Sequence, residues 1–232
     1  MMLTVDSLVS GFDAEPVVRG VSVQVAPGEI VCLVGPNGAG KSAFMKTVVG
    51  ELAVRHGEIT LGEERLTRFT FDQRIRKGIG YVPQLRRVFP TLTVRENLEM
   101  GAYSVKGSLR DRFDRVYELF PELLANTKRQ GGVLSGGQQS MLGMARALMG
   151  DAQVLLLDEV TVGLSPAYVD EVWGKIASLR DSGLGLLLVE QNVSVALDHA
   201  DIMYVLVEGK VVAHDTCGNL KGRQDVEGLF VG

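Results

Sequence analysis

Hydrophobic and polar residues alternate in two segments near the start of the chain. The alternating apolar positions are Leu3, Val5, Leu8, Val21, Val23 and Val25. Because successive side chains of a strand point to opposite faces, this period of two predicts strands with one buried face. We expect the two segments to form antiparallel strands at the N-terminal end of the fold.

Three later segments are almost entirely apolar, at residues 29–34, 154–157 and 186–189. Apolar runs of this length are typical of parallel strands that are covered on both faces. They predict the centre of a buried sheet. Further short strands are predicted at residues 57–61, 80–82 and 205–212.

From about residue 96 to residue 150 the pattern becomes helical. Within this stretch, apolar side chains recur at helical spacing, at Phe113, Val116, Tyr117 and Phe120. The charged residues around them are interpreted as a solvated helix face. They are Asp111, Arg112, Asp114 and Arg115.

This order of elements predicts a single α/β domain with a mixed sheet. Residues 1–84 and 151–232 would form a nucleotide-binding core, and residues 85–150 a helical subdomain. The chain has 232 residues, of which 46% are hydrophobic, enough for one large core. Its net charge of −4 argues against a nucleic-acid-binding domain.

Targeting and redox signals are lacking in the sequence. No apolar run reaches the roughly 18–20 residues that span a bilayer, and the N-terminus lacks a secretory pattern. Cys32 and Cys217 give neither a disulfide framework nor a metal-binding spacing. We therefore expect a cytosolic location.

The glycine-rich segment at residues 35–42, named the phosphate loop below, carries the strongest chemical signal. The segment lies between a predicted strand and a predicted helix at residues 42–49. It fits the pattern G-x-x-x-x-G-K-[ST], whose backbone N–H groups bind the phosphates of a nucleoside triphosphate. Lys41 would reach the β- and γ-phosphates, and the Ser42 hydroxyl would bind Mg²⁺. The alternative is a chance match in a surface loop. The candidate ATP-binding residues are Gly35, Pro36, Asn37, Gly38, Ala39, Gly40, Lys41, Ser42 and Ala43.

Two carboxylates, Asp158 and Glu159, directly follow the apolar run at residues 154–157. Ligands of open parallel sheets bind at the carboxyl ends of the strands. There Asp158 would hold Mg²⁺, and Glu159 would polarise the attacking water. An ordinary acidic loop after a strand is the alternative interpretation.

A second glycine pair lies at residues 134–138, a segment named the signature turn below. Ser135 is predicted to cap a helix, and the glycines would let backbone N–H groups approach an anion. One nucleotide does not need two such cradles from one chain, so we expect the signature turn to cover ATP held by a partner subunit. An ordinary capped helix is the alternative. The residues expected to act in trans are Ser135, Gly136, Gly137 and Gln138.

Together these motifs resemble the ATP-binding cassette (ABC) ATPases, in the family's order and over almost the whole chain. The resemblance implies ATP and Mg²⁺ as ligands, a head-to-tail dimer, and transmembrane permease subunits as partners. It also implies that Gln84 contacts Mg²⁺ and the attacking water. Phe12 falls where the family places an aromatic residue under adenine, although a core aromatic at a strand end is an equal alternative.

A closer resemblance is to the ATPase subunits of branched-chain amino acid or urea importers, carried by residues 78–84, 86–98, 117–121 and 188–192. It implies a second ATPase subunit, as a heterodimer or a homodimer, an indirectly linked solute-binding protein, and a place at the cytoplasmic face of the cell membrane. No nucleic acid partner is implied. Gln191 would act where most ABC ATPases use a histidine to sense the γ-phosphate.

Three residues depart from the usual pattern of the family: Ala43, Val160 and Ser165. None removes a metal ligand or the base. Gln191 and Val160 leave room for a nucleotide-sensing adaptor with little turnover. An exporter subunit, a P-loop kinase or GTPase, and a DNA-repair ATPase are further alternatives. The basic turn after Gln84, with Arg86, Arg87 and Phe89, is interpreted either as a surface for the permease or as a solvated turn.

Overall fold

The computed structural model describes residues 1–85, 87–103, 105 and 107–221, so Arg86 lies outside the described residues. The strands are β1 (Leu3–Ser10), β2 (Val18–Val25), β3 (Ile30–Val34), β4 (His56–Leu61), β5 (Glu64–Arg65), β6 (Ile79–Val82), β7 (Val154–Asp158), β8 (Gly185–Glu190), β9 (Ile202–Val207) and β10 (Lys210–Thr216). The α-helices are α1 (Lys41–Val49), α2 (Phe71–Arg76), α3 (Val94–Gly101), α4 (Leu109–Leu119), α5 (Pro121–Leu124), α6 (Gly136–Leu148), α7 (Pro166–Asp181), α8 (Val193–His199) and α9 (Cys217–Lys221).

Two sheets form the framework. A four-stranded antiparallel sheet has the order β2-β1-β4-β5, and a six-stranded sheet has the order β10-β9-β3-β8-β7-β6. In the second sheet β10 is antiparallel to β9, whereas the other neighbours run parallel. The predicted α/β fold with antiparallel N-terminal strands is therefore confirmed.

The first sheet follows directly from the alternating pattern. The register pairs the predicted apolar positions with one another, Leu3 with Val25, Val5 with Val23 and Leu8 with Val21. All six side chains are buried. Apolar residues of both sheets and of α1 form one hydrophobic cluster, so this face holds α1 in place.

The central strand β3 is covered on both faces, as its apolar sequence predicts. Val31 and Leu33 belong to the cluster around α1. Ile30, Cys32 and Val34 pack on the opposite side, in a second cluster with residues of α3, α4, α6 and α7. Alternate residues of one strand thus anchor two cores, which fixes the strand that leads into the phosphate loop.

Between β6 and β7 the described residues form helices and one isolated bridge, Thr93 to Gln130. The apolar face of α4 is buried as predicted, but its charged face is not wholly solvated. Arg112 is buried and donates hydrogen bonds to the Met149 carbonyl at 2.9 Å and to Asp151 at 2.8 Å. The interpretation as a solvated face is therefore wrong for Arg112, because partners distant in sequence satisfy its guanidinium.

Within the described ranges, no helix has both the length and the hydrophobicity of a bilayer-crossing segment.

Candidate nucleotide-binding site

The phosphate loop joins β3 to α1, as predicted. Gly40 is the N-cap of α1 with φ 104°, a left-handed conformation that favours glycine. No side chain caps this helix, and its first turn has no acidic residue. The backbone N–H groups at this helix start are thus suited to bind an anion.

The C-terminal hairpin β9–β10 supports the phosphate loop from behind. The Gly209 N–H donates a hydrogen bond to the Ala39 carbonyl at 2.9 Å. A Cβ atom on Gly35 would lie 2.1 Å from the Leu206 carbonyl oxygen, so only glycine fits there. The loop geometry therefore depends on contacts with the hairpin as well as on the loop's own sequence.

Lys41 is buried at the start of α1. Its Nζ donates to the carbonyl oxygens of Gly35 at 2.7 Å and Pro36 at 3.1 Å. Burial lowers its pKa, while Glu159 and Asp158 oppose that shift. The ammonium group is thus held over the phosphate loop and can approach a bound phosphate.

Asp158 ends β7, two strands from β3 in the sheet order. Its Oδ1 is buried without a hydrogen-bond partner. Burial, with a further contribution from Glu159, raises the pKa of Asp158 to about 6. A buried carboxylate oxygen without a donor fits a bound cation, which would relieve the cost of its desolvation.

Glu159 has φ 49°, an uncommon conformation for a residue other than glycine. Its Oε2 accepts hydrogen bonds from the side-chain amides of Gln84 at 2.5 Å and Gln191 at 2.6 Å. The three residues predicted to be catalytic therefore meet at one carboxylate. They lie beside Asp158, at the carboxyl edge of the parallel strands.

The signature turn leads into α6, and Ser135 is its N-cap as predicted. The Ser135 hydroxyl accepts from the Gln138 N–H at 3.3 Å, and the Gln138 side chain accepts from the Ser135 N–H at 3.2 Å. A Cβ on Gly136 would lie 2.8 Å from Leu164, and one on Gly137 would lie 2.7 Å from Tyr168. Close packing against Tyr168 at the start of α7, and against Leu164 just before it, therefore also favours glycine at these positions.

Phe12 follows β1, and 60% of its surface is exposed. Its ring contacts Lys46, whose Nζ lies 5.6 Å from the ring centroid. The alternative that Phe12 is a core aromatic is therefore wrong. Its exposure leaves the ring accessible for stacking.

Two arginines carry contacts that the sequence did not indicate. Arg74 is buried and donates to the carbonyls of Thr47 and Val48, so it caps the C-terminal end of α1. Burial lowers its pKa to about 10. Arg87 donates three hydrogen bonds within the site, so the interpretation as a solvated turn is wrong for Arg87.

A strand, a glycine loop and a helix N-terminus beside two carboxylates define a P-loop nucleotide-binding protein. Residues 18–162 match the family model described as ABC transporter. The chain belongs to this family and is an ATP-hydrolysing subunit.

Curated relatives agree with this assignment over the full length. The chain is 40% identical over 233 residues to the probable branched-chain amino acid transport ATP-binding protein LivF of Archaeoglobus fulgidus, covering 100% of this chain and 99% of that protein. It is 40% identical over 232 residues to the high-affinity branched-chain amino acid transport ATP-binding protein BraG of Pseudomonas aeruginosa, covering 100% of both chains. It is also 35% identical to the lipopolysaccharide export ATP-binding protein LptB of Escherichia coli K12, covering 99% of this chain and 97% of LptB.

Solved structures show the same fold. A nucleotide-free ATP-binding cassette from an ABC transporter aligns with a TM-score of 0.88 at 23% identity, covering 100% of this chain and 99% of that one. A cassette in its ADP conformation aligns with a TM-score of 0.89 at 24% identity, covering 100% and 98%.

Proposed function

We propose that Glu159 is the residue that orients and deprotonates the water attacking the γ-phosphate. The observation that carries this proposal is the meeting of Gln84 and Gln191 on the Glu159 carboxylate. Phosphoryl transfer depends mainly on positioning and on neutralising charge. Lys41 supplies one positive charge, and the backbone N–H groups of residues 37–43 hold the phosphate oxygens.

Mg²⁺ fits the donor set of this site. The Oδ1 atom of Asp158, which has no hydrogen-bond partner, supports a cation there, and Ser42 and Gln84 would provide further oxygen ligands. When bound, Mg²⁺ neutralises charge on the phosphates. Asp158 holds its position at the end of β7, and Gln84 reaches the same edge from the segment after β6.

The signature turn acts in trans in this proposal. Ser135, Gly136, Gly137 and Gln138 cover ATP held by a partner ATPase subunit, so that two sites form at a head-to-tail interface. Residues 85–150 act as the helical subdomain that carries this turn, and 1–84 with 151–232 act as the core. Phe12 stacks on adenine.

The transported solute is a branched-chain amino acid or a related small polar molecule. The full-length similarity to LivF and BraG supports this choice. The partners are then transmembrane permease subunits, a second ATPase subunit in a heterodimer, and, indirectly, a solute-binding protein. The chain works at the cytoplasmic face of the cell membrane.

Similarity to LptB keeps an exporter subunit as the second candidate. Co-purification from detergent-solubilised membranes distinguishes the two, because it identifies the permease subunits that bind this chain. The recovered complex, in proteoliposomes with ATP, should accumulate labelled leucine.

Glu159→Gln is the matched control for that experiment. The complex with this variant should form and bind ATP but accumulate no leucine. Recovery of lipopolysaccharide-export partners, or ATP hydrolysis unaffected by any amino acid or binding protein, would contradict the importer assignment.

A further inference from the structure

Arg87 lies where three parts of the site meet. Its Nε donates to the Gln84 carbonyl at 3.1 Å, its Nη1 to the Ser140 hydroxyl at 2.9 Å, and its Nη2 to the Glu159 carbonyl at 2.9 Å. These acceptors belong to the segment after β6, to α6 and to the loop after β7. One guanidinium group therefore joins three elements that are distant in sequence.

The acceptors of Arg87 are all uncharged. None of the ion pairs found among the described residues includes it. The charges of Asp158, Glu159 and Glu190 oppose the lowering of the Arg87 pKa that burial causes. A planar guanidinium has donors in fixed directions, so its three neutral hydrogen-bond acceptors also form a geometric restraint.

The restraint acts on a strained part of the backbone. At φ 49°, Glu159 adopts a left-handed conformation that is unfavourable for an L-residue. Arg87 holds the carbonyl of Glu159, and the Ser140 hydroxyl donates to the next carbonyl, that of Val160, at 2.8 Å. Arg87 and Ser140 thus fix two successive peptide groups.

Helix α6 has a glycine where it meets Arg87. A Cβ on Gly143 would lie 3.2 Å from the Arg87 carbonyl oxygen and 3.1 Å from Val82. Glycine inside a helix destabilises it relative to alanine. Here it lets the main chain of Arg87 approach α6, independently of the side-chain contacts.

We propose that Arg87 is a positioning residue that couples α6, and with it the signature turn, to the carboxylate of Glu159 in the same chain. The inference rests on the proposed role of Glu159. When α6 shifts relative to β7, the guanidinium either breaks its bond to Ser140 or moves the backbone of Glu159. A displacement of about 1 Å in a reacting group can cost about a hundredfold in rate.

Steady-state ATP hydrolysis and equilibrium ATP binding by the full chain with its partner subunits test this proposal. Arg87→Ala should lower kcat about tenfold to a hundredfold and leave ATP affinity within about twofold, because each nitrogen of the Arg87 guanidinium already donates to a protein acceptor. Arg87→Lys should recover part of the rate, since one ammonium group cannot serve three acceptors in fixed directions. Arg110→Ala is the matched control, on an exposed arginine of α4.

Chemical rescue separates positioning from folding. Millimolar guanidinium should raise kcat of Arg87→Ala and not that of Arg110→Ala. A normal kcat in Arg87→Ala, or a loss of ATP affinity that matches the loss of kcat without rescue, would overturn the inference.

Hydrogen exchange provides a test that does not require hydrolysis. Arg87→Ala should speed exchange in residues 159–164, and Arg110→Ala should not. Unchanged exchange there would overturn the inference even in a fully active protein. Absence of hydrolysis by the wild-type complex would instead count against the proposed function, while exchange still decides the role of Arg87.

Discussion

The side-chain amide of Gln191 donates a hydrogen bond to Oε2 of Glu159 over 2.6 Å. The side-chain amide of Gln84, in the segment after β6, donates a hydrogen bond to the same oxygen. Both donors are amides that carry no titratable proton, so the carboxylate keeps its orientation without help from a charged neighbour at position 191. This arrangement is the basis for the first prediction.

Glu159→Gln should reduce ATP turnover by about 10²–10⁴-fold, because the amide cannot accept the proton of the attacking water. ATP binding should survive, since the phosphate loop is unchanged. Phosphate release and equilibrium nucleotide binding measure the two effects. Hydrolysis at the wild-type rate would reject Glu159 as the base.

Lys41→Ala should weaken ATP binding about 10- to 100-fold, because hydrogen bonds to charged groups contribute about 1.5–3 kcal/mol. Titration with a fluorescent ATP analogue measures the affinity. Lys128→Ala, at an exposed position outside the site, is the control. Equal affinity in the two variants would count against the assignment of the phosphate loop.

Phe12→Ala should lower ATP affinity about fivefold to a hundredfold, given about 1–3 kcal/mol for stacking of a base on an aromatic ring. Thermal unfolding should stay nearly unchanged, because the ring is largely exposed. Phe12→Trp should keep the affinity, since it keeps an aromatic face. If alanine binds ATP as well as phenylalanine does, the ring plays no part in adenine recognition.

Glu190→Gln should stabilise the protein more at pH 8 than at pH 5. Burial raises the pKa of Glu190, although the Thr161 hydroxyl, which donates at 2.5 Å, opposes the shift. When the pKa of a carboxyl group is higher in the folded state than in the unfolded state, its contribution to the free energy of unfolding is greatest below the unfolded pKa. That contribution is lost as the pH rises through the folded-state pKa. Glutamine keeps an acceptor for Thr161 and removes the buried charge.

Thermal unfolding at both pH values tests this prediction. Glu118→Gln, at an exposed position on α4, is the matched control and should shift both midpoints equally. If Glu190→Gln raises the midpoint of thermal unfolding by the same amount at pH 5 and pH 8, the raised pKa of Glu190 does not affect stability as expected.

The sequence was sufficient for local features whose signal lies within a few residues. The alternating strands β1 and β2, the cap formed by Ser135 and the glycine turn before Lys41 are all of this kind. Helix α2 was not predicted, because its sequence lacks a clear apolar period. Its capping box, Thr70 with Gln73, was the available signal.

Long-range partners could not be predicted from the sequence. The charged neighbours of Arg112 in the sequence indicate a solvated side chain, yet Asp151 pairs with it from beyond the end of α6. Arg87 and Arg74 bind carbonyl groups that every residue has, so no residue type marks their partners. Such contacts depend on how distant elements pack.

The Gly209 N–H donates a hydrogen bond to the Ala39 carbonyl, and β3 lies between β8 and β9 in the sheet. The phosphate loop is thus held by elements that are synthesised after it. A ribosome releases the phosphate loop early and the elements that brace it last. A nascent chain that lacks the final hairpin therefore has the nucleotide motif without its native shape. Tight binding of ATP therefore requires that the final hairpin has already packed against the phosphate loop.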